Sequence, residues 1–335
     1  MSNTQSQFNG PENEVTTTTT TTASSSPKRM NELTELIIDS HYRLIKQIYS
    51  GTFSDIYMGE HIQTGEKIAA KLESIKCRIP LLQIEHRFYR KLFGEIGIPF
   101  IMFYGQCDQH TVLVMPLLGP SLESVFDMCK RQFSMKTILY IAIQLLTRFE
   151  TIHRHGIVFR DVHTENFLLG VEDKINVIHV IDFALAKSFV DETTGKHISL
   201  KTQTNRYVGT IRFLSLNGHR GCEQSRRDDL ESIGYILLYF LKQGKLPWSG
   251  LRKLAGKVRY QKIYEYKSSI PIETLFHGFP IEFTNYLRYV RALEFEDEPN
   301  YQYMQTLFIN LFQRENYRDD GSYDWSNRLT TGLTS

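Results

Sequence analysis

The sequence predicts an α+β protein in two lobes, a small β-rich one followed by a larger, mainly helical one. Two observations carry this. Short runs rich in Ile, Tyr and Ala, separated by turn residues, fill the stretch from Tyr42 to Glu73. Helical patterns dominate after Leu118-Gly119-Pro120, and strands first with helices after is the order of an α+β architecture.

In the first lobe, Tyr42 to Ser50, Asp55 to His61 and Glu66 to Glu73 read as strands, with Thr64-Gly65 turning the chain between the last two. Pro80 to Phe93 reads as a helix and Thr111 to Met115 as a buried strand. Further on, Phe133 to Arg154 carries apolar residues at helical spacing, and Asn176 to Ile181 reads as a strand. Asp228 to Lys242 is apolar on nearly every face, which predicts a buried helix. Residues 1–38 differ in kind. Seven threonines from Thr16 to Thr22 run into Ala23, Ser24, Ser25, Ser26 and Pro27, a composition that buries too little apolar surface to offset ordering entropy and predicts a disordered tail. The expected division is a tail over 1–38, a folded domain over 39–315 with lobes 39–116 and 119–315, and a short C-terminal tail over 316–335.

Composition sets limits on function. With 41% hydrophobic residues, 335 residues suffice for a large core. A formal net charge of +2 argues against nucleic acid as the main partner. The cysteines Cys77, Cys107, Cys129 and Cys222 are widely spaced, which predicts free thiols rather than a metal site. The longest apolar run, Ile233 to Leu241, is about half of the ~18 residues a membrane span needs. The first 30 residues lack a secretory pattern. A soluble intracellular protein is therefore expected.

The chemistry concentrates in Arg160-Asp161-Val162-His163-Thr164-Glu165-Asn166, followed by Ile181-Asp182-Phe183. An aspartate, an asparagine five residues on and a second aspartate after a strand suit metal-assisted phosphoryl transfer. Asn166 and Asp182 supply the oxygens a hard cation such as Mg²⁺ takes; Asp161 would orient a hydroxyl and accept its proton. Lys71, in Ile68-Ala69-Ala70-Lys71, fits a phosphate-binding lysine on a strand, with Glu85 on the next helix as its partner. The stretch Ile48-Tyr49-Ser50-Gly51-Thr52-Phe53-Ser54-Asp55-Ile56 stands where a G-x-G-x-x-G phosphate loop belongs, with only Gly51 retained.

Together these motifs resemble the eukaryotic protein kinases. Leu117-Leu118-Gly119-Pro120-Ser121-Leu122-Glu123 and Glu223-Gln224-Ser225-Arg226-Arg227-Asp228-Asp229 resemble the casein kinase I family in particular, as do Gly97-Ile98-Pro99, Ser215-Leu216-Asn217 and Leu246-Pro247-Trp248. The resemblance runs from about Tyr42 to about Phe312. It implies the two-lobed protein kinase fold and a serine/threonine kinase using ATP and Mg²⁺ on acidic or phosphoprimed protein substrates. A monomer without a membrane span, cytoplasmic and also nuclear, goes with it. It further implies that Ile48, Ser50, Gly51, Ile56, Ala69, Lys71, Met115 and Leu118 surround the nucleotide. Met115 would be the gatekeeper and Pro116 to Leu118 the hinge. Asp229 would anchor the catalytic-loop backbone, and Arg212, Gly250 and Arg259 would form a substrate anion site.

Five departures from the family bear on activity. Tyr49 and Ser54 replace loop glycines, Phe159 replaces the His before Arg-Asp, and Ala184 follows Asp182-Phe183 in place of Gly. His163 replaces a lysine that contacts the transferring phosphate, giving a charge that depends on pH. The alternative expectation is accordingly a pseudokinase serving as a nucleotide-binding or scaffold module. Ser199, Thr202, Thr204 and Thr210 lie between Asp182 and the helical lobe's next segment, and none is marked as a required phosphosite.

Overall fold

The computed structural model describes residues 36–200, 207–253, 256–326 and 328–329. In the first lobe β1 (Ile37–Ile38), β2 (Tyr42–Ser50), β3 (Asp55–His61) and β4 (Lys67–Ser74) precede α1 (Leu81–Lys91). Then β5 (Phe103–Cys107) and β6 (His110–Pro116) complete a six-stranded sheet ordered β1-β2-β3-β4-β6-β5. All its neighbours are antiparallel. Leu44, Tyr57, Ile68, Ala70 and Val112 make the lobe's own core. Side chains alternate along a strand, so Ala69 and Lys71 point to the opposite face, towards the second lobe.

The second lobe begins with α2 (Leu122–Met128) and α3 (Met135–Arg154), whose first turns are closed by the Ser121 and Ser134 hydroxyls. Short strands β7 (Ile157–Val158), β8 (Phe167–Leu169), β9 (Ile178–Val180) and β10 (Lys187–Ser188) follow, pairing β7 with β10 and β8 with β9. The rest is helical: α4 (Leu216–His219), α5 (Arg226–Leu241), α6 (Gly256–Ser269), α7 (Ile272–Leu275), α8 (Ile281–Ala292) and α9 (Tyr301–Arg314). α5 is buried along nearly its whole length, as its apolar sequence predicts. No helix among the described residues is long and apolar enough to cross a membrane.

Two boundaries differ from the expected ones. Leu36 to Ile38 belong to the folded lobe: Ile38 pairs with Tyr42 and is fully buried. A strand of two residues is too short to show a period. The segment after 315 also packs back onto the domain. Trp325 is fully buried and donates its indole N–H to the Asn176 side chain at 3.0 Å. Tyr323 stacks on Tyr140 of α3 with ring centroids 3.8 Å apart. Residues 1–35, which contain the threonine run, lie outside the described residues, as do Thr202 and Thr204.

Candidate active site

β4 sets the position of two parts at once. Lys71 projects from it into the cleft, and two residues on Glu73 Oε1 accepts from the backbone N–H groups of Leu81 and Leu82 at 3.0 and 3.4 Å. A carboxylate is well placed at a helix N-terminus, and this one supplies the cap that Pro80 does not. The strand is thereby tied to the start of α1, the helix that carries Glu85. Lys71 Nζ donates to Glu85 at 2.7 Å and to Asp182 Oδ1 at 3.0 Å. Burial favours loss of the lysine proton, but the carboxylates of Asp182 and Glu85 outweigh it and hold the pKa above the ordinary lysine value.

Asp182 carries an unusual backbone. Its φ of 65° and ψ of 72° are left-handed, and its Oδ1 also accepts from the Ala184 N–H at 3.3 Å. Ala184 itself lies in the following helical turn and is not among the positive-φ residues, so the methyl group that replaces a hydrogen adds no strain there. The Asp182 N–H donates to the Tyr89 hydroxyl at 3.1 Å. Phe183 is fully buried, edge-on to Tyr89 at 5.0 Å and to Phe159 at 5.2 Å. Phe159 thus fills the apolar volume next to Phe183, as its chemistry predicts.

The loop after β7 holds Asp161. Asp229, on α5, accepts from the backbone N–H groups of Phe159 and Arg160 at 2.7 and 2.8 Å, and its Oδ2 lies 2.9 Å from His153 Nε2. These contacts fix the loop, and Arg160 adopts φ 68° within it. Asp161 Oδ1 accepts the Thr210 hydroxyl at 2.8 Å, while Oδ2 is 3.5 Å from His163 Nε2. Burial alone would raise the Asp161 pKa; His163 and Thr210 outweigh it and hold the carboxyl below its usual range. His163 is the reciprocal case: burial pushes it down, and Asp161, Glu165 and Asp182 together raise it above the ordinary imidazole value. The Asn166 amide donates to the Asp161 carbonyl at 3.1 Å, which leaves its oxygen as an acceptor.

The roof of the cleft is the β2–β3 hairpin. A register shift between Gln47 and Tyr49 puts a bulge at Ile48, and Tyr49 then pairs with Ile56. Ser50 Oγ donates to Asp55 at 2.7 Å, and the Gly51 N–H donates to the Ser54 carbonyl at 3.0 Å. A Cβ on Gly51 would lie 2.8 Å from the Tyr49 ring and 3.1 Å from the Ser54 carbonyl, so a side chain there would have to displace the exposed tyrosine. Ala69 pairs with Met115 across β4 and β6, and Ile56 pairs with Lys71. The chain then leaves through Pro116 to Leu118. Leu117 N–H donates to Lys67 O at 3.0 Å and Gly119 N–H to Leu169 O at 2.9 Å, one bond to each lobe. Of the eight residues expected around a nucleotide, the sheet register thus brings Ile56 beside Lys71 and Ala69 beside Met115.

A family model described as the protein kinase domain matches residues 42–287, more than half of the chain. The chain belongs to the protein kinase family. Membership implies ATP as donor and a divalent metal beside it. The kinase's own donor set fits such a metal. The Asn166 amide oxygen and the Asp182 carboxylate are hard ligands, and two protein groups suit a cation that nucleotide phosphates complete. When bound, Mg-ATP supplies the γ-phosphoryl group and the metal neutralises its charge.

Of the three residues expected at an anion site, Arg212 and Gly250 are linked through Trp248. Trp248 Nε1 donates to the Arg212 carbonyl at 2.9 Å, and Gly250 follows two residues later with open space at its Cα. The Arg212 guanidinium donates to the Tyr239 hydroxyl at 3.2 Å. Arg259 stands on α6 with a buried Nε that has no hydrogen-bond partner among the described residues.

Sequence reasoning missed three groups. Tyr89 lies one turn after Glu85 on the same face of α1, a spacing that could have flagged it. Thr210 was noted only as a phosphorylatable residue. Glu123 accepts from the Thr164 hydroxyl at 2.6 Å and from Tyr239 at 2.7 Å, linking α2, the catalytic loop and α5. No spacing rule joins those three positions.

Proposed function

We propose that this kinase is a serine/threonine kinase of the casein kinase I type, acting on acidic or already phosphorylated proteins. The observation that carries the reading is the Thr210 hydroxyl at 2.8 Å from Asp161 Oδ1. An aliphatic hydroxyl already donates to the carboxylate that would act as base, so a substrate serine or threonine hydroxyl suits the same oxygen. Asp161, kept ionised, orients that hydroxyl and takes its proton. Lys71, held charged between Glu85 and Asp182, positions phosphate oxygens, and His163 in its protonated form adds a cation near the transferring group. Asn166 and Asp182 hold the metal. The basic corner at Arg212, with Arg259 on α6, supports a preference for substrates that carry negative charge near the acceptor.

A second reading, a nucleotide-binding scaffold, draws on the Tyr49 ring lying over Gly51 where a phosphate would approach. One experiment separates the two. Phosphate transfer from Mg-ATP to casein and to an acidic peptide with a single Ser, Thr or Tyr is measured for wild type and Asp161→Asn. Transfer to Ser and Thr that vanishes in the variant is the expected result. Equal signal from both proteins would rule out intrinsic activity.

A further inference from the structure

The outer face of α1 forms a cleft away from the ATP site. Gln83, His86, Arg87, Arg90 and Lys91 line it from the helix and Tyr104 from β5, around a volume of about 490 Å³. His86 and Tyr104 stack with centroids 4.0 Å apart and make its floor. Three cations and no carboxylate line it. Glu192 reaches Arg87, at 3.9 Å between two exposed side chains, and Glu73 lies near enough to Tyr104 to act on its hydroxyl. Arg90 and Lys91 have no ion-pair partner among the described residues. Cations gathered around an aromatic floor suit a polypeptide that brings phosphate groups.

The chain itself carries such a polypeptide. The described fold begins at Leu36, and the Ile37 carbonyl accepts from the Cys107 thiol at 3.7 Å, at the end of β5. The described residues thus begin beside the strand that supplies Tyr104, three residues or roughly 10 Å away along the strand. The segment before them holds seven threonines over Thr16 to Thr22 and three serines over Ser24 to Ser26. Ten residues separate Ser26 from Ile37, and in extended form they span about 33 Å, enough to reach α1. The repeat also matches. Phosphates on alternate residues of an extended chain recur every ~6.7 Å, close to the ~6 Å rise between Arg87 and Lys91 one turn apart on a helix.

We propose that the α1 cleft is the docking site for the chain's own segment 16–26 once it is phosphorylated on threonine. In the modification, a threonine oxygen attacks the γ-phosphorus of ATP, the bond to the bridging oxygen breaks, ADP leaves and the hydroxyl proton passes to a base. Docking requires the phosphate and not a particular enzyme to add it, so it stands apart from the substrate reading above.

The test uses the full chain, dephosphorylated, and a fluorescent synthetic peptide of residues 12–27 with phosphothreonine at Thr18 and Thr20. Anisotropy should show binding that the unphosphorylated peptide lacks. Arg90→Glu/Lys91→Glu, and separately Arg87→Ser, should weaken it, the double variant by about tenfold or more, with thermal melting unchanged because these side chains are exposed. Arg259→Glu should leave it intact. No binding, equal binding of the unphosphorylated peptide, or loss in Arg259→Glu with retention in the α1 variants each overturns the proposal; the last would assign the phosphopeptide to the substrate cleft.

Discussion

The floor of the nucleotide cleft and its roof are held in different ways. On the floor, Asp161, Asn166 and Asp182 are each fixed by at least one hydrogen bond to another element or to the loop itself, and Asp229 locks the loop from beneath. In the roof, Tyr49 is 57% exposed, and the tip is closed by the Gly51–Ser54 backbone bond and the Ser50–Asp55 pair. On the floor Asp161, Asn166 and Asp182 keep the kinase pattern while Phe159, His163 and Ala184 beside them depart from it; in the roof only Gly51 of the loop glycines is kept. Replacing a group with several buried partners strands those partners, whereas replacing an exposed loop residue strands little.

The largest effect expected from this contrast is Asp161→Asn, which removes the proposed base and should lower kcat by about 10²- to 10⁴-fold in the transfer assay. Asp229→Ala comes next. It leaves two buried N–H groups and His153 without their acceptor and costs about 3 kcal/mol, read as a lower Tm with a parallel loss of kcat. If Tm is unchanged, the loop is not held from below.

His163 lies between floor and roof in its effect. Its pKa is raised, so the cation is fully present below the ordinary value of ~6.5 and is lost as pH rises through the higher folded value. Wild-type kcat should therefore fall as pH rises above that range, and His163→Lys should flatten the profile and exceed wild type at pH 8. A flat wild-type profile with no gain from lysine removes the role assigned to His163. The smallest effect belongs to the roof: Tyr49→Gly/Ser54→Gly should raise kcat by about threefold at most, through closer backbone approach to phosphate. Adenosine-induced thermal shift should stay the same, and a change in it would mean that the hairpin also grips the base.

The same contrast explains what the sequence made legible. Runs rich in Ile and Tyr between turn residues exposed β2 and β3 with their observed ends, and uniform apolarity exposed the burial of α5. Lys71, Glu85, Asp161, Asn166 and Asp182 sit in short motifs whose spacing reports their chemistry. Tyr89 reaches Asp182 across 93 positions and Thr210 reaches Asp161 across 49, and such contacts exist only once the lobes have packed. β5 escaped because a five-residue edge strand with Gly105 at its centre has too little alternation to register. Tyr323 and Trp325 stand in a polar stretch with Asp319, Asp320 and Asp324, so composition pointed to solvent while α3 offered them an aromatic face.

That C-terminal strap also decides where the self-sufficient folding unit ends. The family match stops at 287, yet Asp324 accepts from the Ser134 N–H at 2.6 Å, the residue that starts α3. Trp325 meanwhile plugs the space beside Phe133. A protease nick or a stop codon ahead of residue 323 would uncover the Phe133 and Tyr140 rings together. The released domain would then carry a sticky apolar surface at the foot of its longest helix, and its fate would be set by self-association before any question of catalysis arose.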